Sequence, residues 1–159
     1  MIDEFYASLD RQAKALLDGE DDLIAAMANF SALINDALDD LNWVGFYLLK
    51  NKQLVLGPFQ GKVACTRIPL GKGVCGTAAL EGATQRIADV HQFDGHIACD
   101  AASNSEIVIP VMRDHQVVAV LDIDSPSLAR FNETDQAGLE KLVNSFENAL
   151  FAQTTTNLS

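Results

Sequence analysis

Glu106-Ile-Val-Ile-Pro-Val-Met112 and Val117-Val-Ala-Val-Leu-Asp-Ile123 are two strand-length apolar runs joined by the polar stretch Arg113-Asp114-His115-Gln116. Runs rich in β-branched residues on either side of a short polar turn predict a β-hairpin. Toward the C-terminus, Phe131-Asn-Glu-Thr-Asp135 opens a helix expected over 131–152. Asn132 is its N-cap, and Leu139, Leu142, Val143, Phe146 and Leu150 mark its apolar face. A polar tail over 153–159 follows.

Upstream of the hairpin, residues 89–104 form a long connection without regular pattern, and Thr84 to Val90 reads as a strand. Such connections inside compact domains tend to carry function. Trp43-Val-Gly-Phe-Tyr-Leu-Leu49, polar Lys50 to Gln53, and Leu54-Val-Leu56 predict a second hairpin, with a third strand around Cys65 to Ile68. Pro69 to Gly73 punctuates the chain before a short helix over Val74 to Leu80. In the first forty residues, Phe5, Leu9 and Leu16, then Leu23, Ile24, Met27, Phe30, Ile34 and Leu38, recur at helical spacing around a break at Asp18 to Asp22. Helices at both chain ends and strands between them predict an α+β fold. Its central sheet is mostly antiparallel, with the N- and C-terminal helices packed on one face. One domain spans 1–159, with helices in 1–40, the sheet and its loops in 41–125, and the last helix in 131–152.

The composition suits that architecture. The 159 residues are 48% apolar, 21% charged and 7% aromatic. A chain of this size buries roughly 70% of the surface its unfolded form exposes, so neither disulfide nor structural metal is required for a core. A net charge of -11 disfavours nucleic acid and anionic membrane surfaces as partners. The acidic start Met1-Ile-Asp-Glu4 is not read as a signal peptide, and no apolar run approaches the ~20 residues that cross a bilayer. A cytoplasmic location is expected, where structural disulfides are rare.

Cys65, Cys75 and Cys99 therefore invite reading as packing, metal or redox groups. Cys99 sits in His91-Gln-Phe-Asp-Gly-His-Ile-Ala-Cys-Asp100, among two histidines and two acids. A nucleophilic cysteine needs partial exposure and a neighbour that lowers its pKa, and loop N–H groups or His96 could supply it. Cys65 or Cys75 could condense with a sulfenic acid formed there. Cys75 also suits a small-residue helix that simply packs closely. Cys65, Cys75, His91, His96 and Cys99 could instead ligate zinc, although the tight paired spacings of zinc sites are missing. His115, at the hairpin turn, reads as solvated.

Asp122 and Asp124 share one face of a strand. Paired acids on one face suit a cationic group, and their repulsion raises one member's pKa. Glu106 joins them if an odd-numbered loop sets the hairpin register; a two-residue loop turns it to the opposite face. Trp43 and Tyr47, four positions apart, face one way and could wall a small pocket.

Several blocks, in order, resemble the free methionine-(R)-sulfoxide reductases, which are single GAF domains. They are Asn42-Trp-Val-Gly-Phe-Tyr47, Gly57-Pro-Phe-Gln-Gly-Lys62, Gly71-Lys-Gly-Val-Cys-Gly-Thr77, Asp89-Val-His91, Gly95-His-Ile-Ala-Cys-Asp100, Ser105-Glu106 and Leu121-Asp-Ile-Asp-Ser125. One departure is Asp94, where the family pattern has proline. The resemblance implies that Cys99 attacks the sulfoxide sulfur of free L-methionine-(R)-sulfoxide, leaving methionine and a sulfenic acid. It implies Cys65 as the main resolving cysteine, Cys75 as an alternative, and thioredoxin as the reductant of the resulting disulfide. Glu106, Asp122 and Asp124 would bind the substrate's amino group and sulfoxide oxygen, and Trp43 and Tyr47 would surround its methyl end. No metal or cofactor is implied, and a homodimer is compatible with the fold. The contrasting reading is a GAF sensor that binds a small ligand without altering it, since one fold hosts both functions.

Overall fold

The computed structural model describes residues 3–95 and 102–152. Helices α1 (Glu4–Leu17) and α2 (Leu23–Ala37) lead into strands β1 (Trp43–Lys50), β2 (Gln53–Gly61) and β3 (Arg67–Pro69). Helix α3 (Gly73–Glu81), strand β4 (Gln85–Ile87) and a 3-10 turn at Val90–Gln92 come next, followed by β5 (Ser105–Arg113), β6 (Gln116–Ser125) and α4 (Glu133–Phe151). Each end helix starts on a side-chain cap. Asp3 accepts from Tyr6 N, Asp22 from Ala25 N, and Asn132 forms a reciprocal capping box with Asp135. Asn132 is extended, so α4 begins at Glu133 rather than at Phe131.

The six strands form one sheet in the order β3-β2-β1-β6-β5-β4, antiparallel at every pairing. Alternation along the strands divides the side chains between its two faces. Val44, Phe46, Ile107, Ile109, Ala119, Leu121 and Ile123 pack under α1, α2 and α4 around Phe30 and Phe146. On the other face, Trp43, Tyr47, Val108 and Val120 pack with Val74, Cys75 and Ala78 of α3. The architecture is α+β, with the terminal helices together on one face as expected.

Further details differ from the sequence reading, among them the expected strand Thr84 to Val90, which is only Gln85–Ile87. The buried stripe of α1 is Tyr6, Leu9, Ala13 and Leu17, whereas Phe5 and Leu16 flank it and are 49% and 41% exposed. Ile24 likewise points outward from α2. Alanine and an amphipathic tyrosine hold the stripe because α4 approaches closely: Ser145 Oγ donates to buried Asp10 Oδ1 at 2.6 Å, and Tyr6 Oη to Asp135 Oδ1 at 2.6 Å. The third strand starts at Arg67, which leaves Cys65 in the segment before it. Among the described residues, no helix is long and apolar enough to cross a membrane.

Both long hairpins turn on two residues with positive φ, Asn51 and Lys52 (51° and 65°) and Asp114 and His115 (52° and 64°). Each also contains a register shift. Arg113 pairs with Gln116 and Met112 with Val117, but Val111 pairs with Ala119. Val118 is the extra residue of a bulge, and beyond it Glu106 lies across from Asp124. A two-residue loop alone would turn Glu106 to the helical face; the bulge reverses that outcome. In the first hairpin Tyr47 pairs with Leu56 and Gly45 with Phe59, so a second irregularity brings Phe59 to the face of Trp43.

Candidate active site

The face opposite the terminal helices gathers an acidic cluster and an aromatic wall. Trp43 is the partner of Asp124, Gly45 of Asp122, Glu106 of Asp124, and Val108 of Asp122. Three carboxylates from two adjacent strands therefore share one face, and all three are buried. Helix α3 closes over them and brings Cys75 Sγ to 3.9 Å from Glu106 Oε2. Ligand atoms of Cys75, Glu106 and Asp122 all lie within 4.8 Å of one another.

Burial sets the electrostatics. The Glu106 carboxyl is raised well above the ordinary range by desolvation, then by Asp122 and Asp124, which also hydrogen-bond to it. Its protonated form is thereby favoured beyond the ordinary carboxylate range. The Cys75 thiol is raised for the same reasons, by desolvation first and then by Asp122, Glu106 and Asp124. A thiol so placed is a hydrogen-bond donor and a poor nucleophile. The Tyr47 phenol is also raised, by burial and then by Asp122, and stays protonated.

Trp43 stacks between two rings, with centroids 5.8 Å from Tyr47 and 5.1 Å from Phe59. Phe59 was not among the sequence candidates. Its signal is Gly57-Pro58, a break at which a strand takes up an extra residue and changes face. The close stack requires Gly45, because a Cβ there would sit 2.3 Å from Phe59 Cβ and 2.8 Å from the Trp43 ring. The polar ends of the wall hold the segment before β3: Trp43 Nε1 donates to Lys62 O at 3.1 Å, and Tyr47 Oη to Cys65 O at 2.9 Å.

Cys65 is disulfide-bonded and Cys75 is a free thiol. Cys99, His96 and Asp100 lie outside the described residues. His91 is exposed, with Nε2 3.0 Å from Asn104 Oδ1, and His115 is exposed at its turn. Among the described residues, neither His91 nor Cys65 joins Cys75 in a group that could hold a metal.

Residues 25–150 match the GAF domain family model. The chain is 58% identical over 147 residues to the free methionine-R-sulfoxide reductase of Escherichia coli, covering 92% of this chain and 89% of that protein. The reduced form of Staphylococcus aureus fRMsr superposes with a TM-score of 0.89 at 55% identity, covering 91% of this chain and 94% of the other. Free methionine-R-sulfoxide reductase from Neisseria meningitidis, in complex with its substrate, superposes at 0.88 with 42% identity, over 94% and 91% of the two chains. The antiparallel sheet, the acids and aromatics on the face that α3 covers, and this likeness over nearly the whole chain have one consequence: the protein belongs to the free methionine-(R)-sulfoxide reductase family of GAF domains.

Proposed function

We propose that the chain reduces free L-methionine-(R)-sulfoxide to L-methionine by thiol chemistry. The observation that carries this reading is the buried face on which Glu106, Asp122 and Asp124 meet beside Trp43 and Tyr47. A free amino acid brings an ammonium group that matches ionised carboxylates, whereas a methionine sulfoxide inside a chain has an amide there. Leaving buried carboxylates unpaired is the costly outcome on which selectivity rests. Trp43 and Tyr47 offer an apolar wall for the S-methyl group.

In this reading the Cys99 thiolate attacks the sulfoxide sulfur. A proton held on Glu106 passes to the sulfoxide oxygen, the sulfur–oxygen bond breaks, and oxygen transfers to Cys99 as a sulfenic acid while methionine leaves. Cys65 condenses with that sulfenic acid, releasing water and forming a disulfide. Thioredoxin returns both cysteines to thiols, oxidising its own pair. The disulfide-bonded state of Cys65 and the free thiol of Cys75 support Cys65 as the resolving residue.

The test is NADPH consumption with thioredoxin and thioredoxin reductase on three substrates: free R-sulfoxide, free S-sulfoxide and an R-sulfoxide within a peptide. Turnover of the free R isomer alone is expected. Cys99→Ser should abolish it, and Cys65→Ser should give one round and stall. Multiple turnover by Cys99→Ser would sink the mechanism. Recovery of unaltered sulfoxide bound to folded, reduced protein would favour a sensor.

A further inference from the structure

The chain is strongly acidic, yet from Trp43 to Lys72 it contains five cations and no Asp or Glu. Lys50, Lys52, Lys62, Arg67 and Lys72 are all exposed. Among the described residues none of them is in an ion pair. The topology brings Lys52, Arg67 and Lys72 to one end of the sheet's border, and Lys62 follows the other end of β2. Strand β3 is the edge strand. Arg67 on β3 pairs with Val55, and Pro69 pairs with Gln53, the residue after Lys52. Lys72 N donates to Pro69 O at 3.1 Å, which brings Lys72 to the same end. Lys62 begins the segment that leads back to β3 through Cys65. Within that segment Val63 is 89% exposed, an apolar side chain held out two positions from a disulfide-bonded cysteine. The backbone around it is fixed, because Trp43 and Tyr47 hydrogen-bond Lys62 O and Cys65 O.

We propose that this cationic edge is the docking surface for a dithiol reductant protein whose nucleophilic thiol lies in an acidic surface, and that the reductant attacks Cys65. This rests on the disulfide-forming cycle above. Charge complementarity carries the choice of partner. The remaining six cations share the rest of the chain with all 22 acids, so an acidic partner is repelled elsewhere and steered to this border. Val63 supplies the apolar centre that such a contact places beside the reacting sulfur.

The partner's thiolate bonds to Cys65 Sγ as the existing disulfide breaks. The electron pair leaves on the other sulfur of that disulfide, which takes a proton. The partner's second thiol, losing its proton to solvent, attacks the mixed disulfide and expels Cys65 as a thiolate. Two electrons pass to this chain, and the partner leaves as a disulfide.

The experiment compares turnover driven by dithiothreitol with turnover driven by thioredoxin. Lys62→Glu/Arg67→Glu should raise the KM for thioredoxin about tenfold. Lys141→Glu on α4 should not. Wild-type kcat/KM for thioredoxin should fall with added salt, and the double variant should lose that dependence. Dithiothreitol-driven turnover should be the same in all three proteins, because Trp43 bonds the backbone carbonyl of residue 62, which the substitution keeps, and not the lysine side chain. A thioredoxin with its second cysteine replaced by serine should be trapped on Cys65, as mapped by mass spectrometry. Equal thioredoxin KM values, or trapping on another cysteine, would overturn the proposal. Absence of wild-type turnover with dithiothreitol would instead remove the reductase reading itself.

Discussion

Glu106 and Asp124 are direct cross-strand partners on β5 and β6, and both are more than nine-tenths buried. Like charges directly opposite one another destabilise a sheet, and burial multiplies the cost. Protonation of Glu106 relieves it, and the upward displacement of the Glu106 carboxyl records that relief.

Stability should therefore depend on pH in a defined direction. In the unfolded chain Glu106 loses its proton near the ordinary value of 4.5, and in the folded chain well above it. Across that window the native state binds the extra proton, so stability is complete below the window and is lost as pH rises toward the folded value. The limiting slope is about 1.4 kcal/mol per pH unit. Denaturation midpoints from pH 5 to pH 8 should fall more steeply for the wild type than for Glu106→Gln. Parallel curves would mean that the carboxyl ionises without penalty.

Asp124 lies between Glu106 and Trp43 in the sheet register, and the proposed function sets the substrate's ammonium group against it. A hydrogen bond to a charged group contributes about 1.5–3 kcal/mol. Asp124→Asn should then lower kcat/KM for the free R-sulfoxide by roughly 10- to 100-fold. The ratio of activity on free substrate to activity on a peptide R-sulfoxide should fall with it. An unchanged ratio would take Asp124 out of the selecting group.

The aromatic wall can be tested at its tightest point. Alanine at Gly45 would overlap Phe59, whose own Cα lies only 2.9 Å from the new methyl, and would press on the Trp43 ring. Backbone cannot rotate away as a side-chain tip can, so Gly45→Ala should cost about 1–3 kcal/mol. Trp43 is the chain's one tryptophan, which makes its fluorescence a specific reporter. A red-shifted emission and weaker near-ultraviolet dichroism are expected alongside the lower stability. A wild-type spectrum in a stable variant would show that the stack does not depend on Gly45.

The strands, the terminal helices and the acid pair were legible because each rests on short-range periodicity. Asp122 and Asp124 share a face whatever the rest of the chain does, and Asn132 caps α4 through residues three positions away. The side on which Glu106 falls was not legible, because it depends on whether Val117 to Leu121 contains one residue more than its partner strand needs. That run is apolar at every position and carries no alternation from which an added residue could be read. Phe59 was missed for the same cause, one bulge farther up the chain. The α1 stripe was misread because Ala13 and Tyr6 give weaker signals than Phe5 and Leu16. The choice between them was made by α4, more than a hundred residues away.

Cys75 provides the last test, since the sequence admits it as packing residue, resolving thiol or metal ligand. The geometry favours a donor. Its Sγ faces Glu106 Oε2, and burial followed by the charges of Asp122, Glu106 and Asp124 holds the thiol protonated. Iodoacetamide reacts with thiolates, so in reduced, folded protein at pH 8 Cys75 should stay unmodified while it reacts readily after denaturation. Peptide mapping reads this directly, and alkylation of Cys75 at the rate of an exposed thiol would refute its placement. Cys75→Ser keeps a donor for Glu106 and should preserve the pH dependence of turnover. Cys75→Ala removes that donor along with the thiol, and should alter the pH profile of kcat/KM even where the fold survives. If both variants behave alike, the Cys75 hydrogen bond does not tune the Glu106 carboxyl, which burial and the neighbouring aspartates then govern unaided.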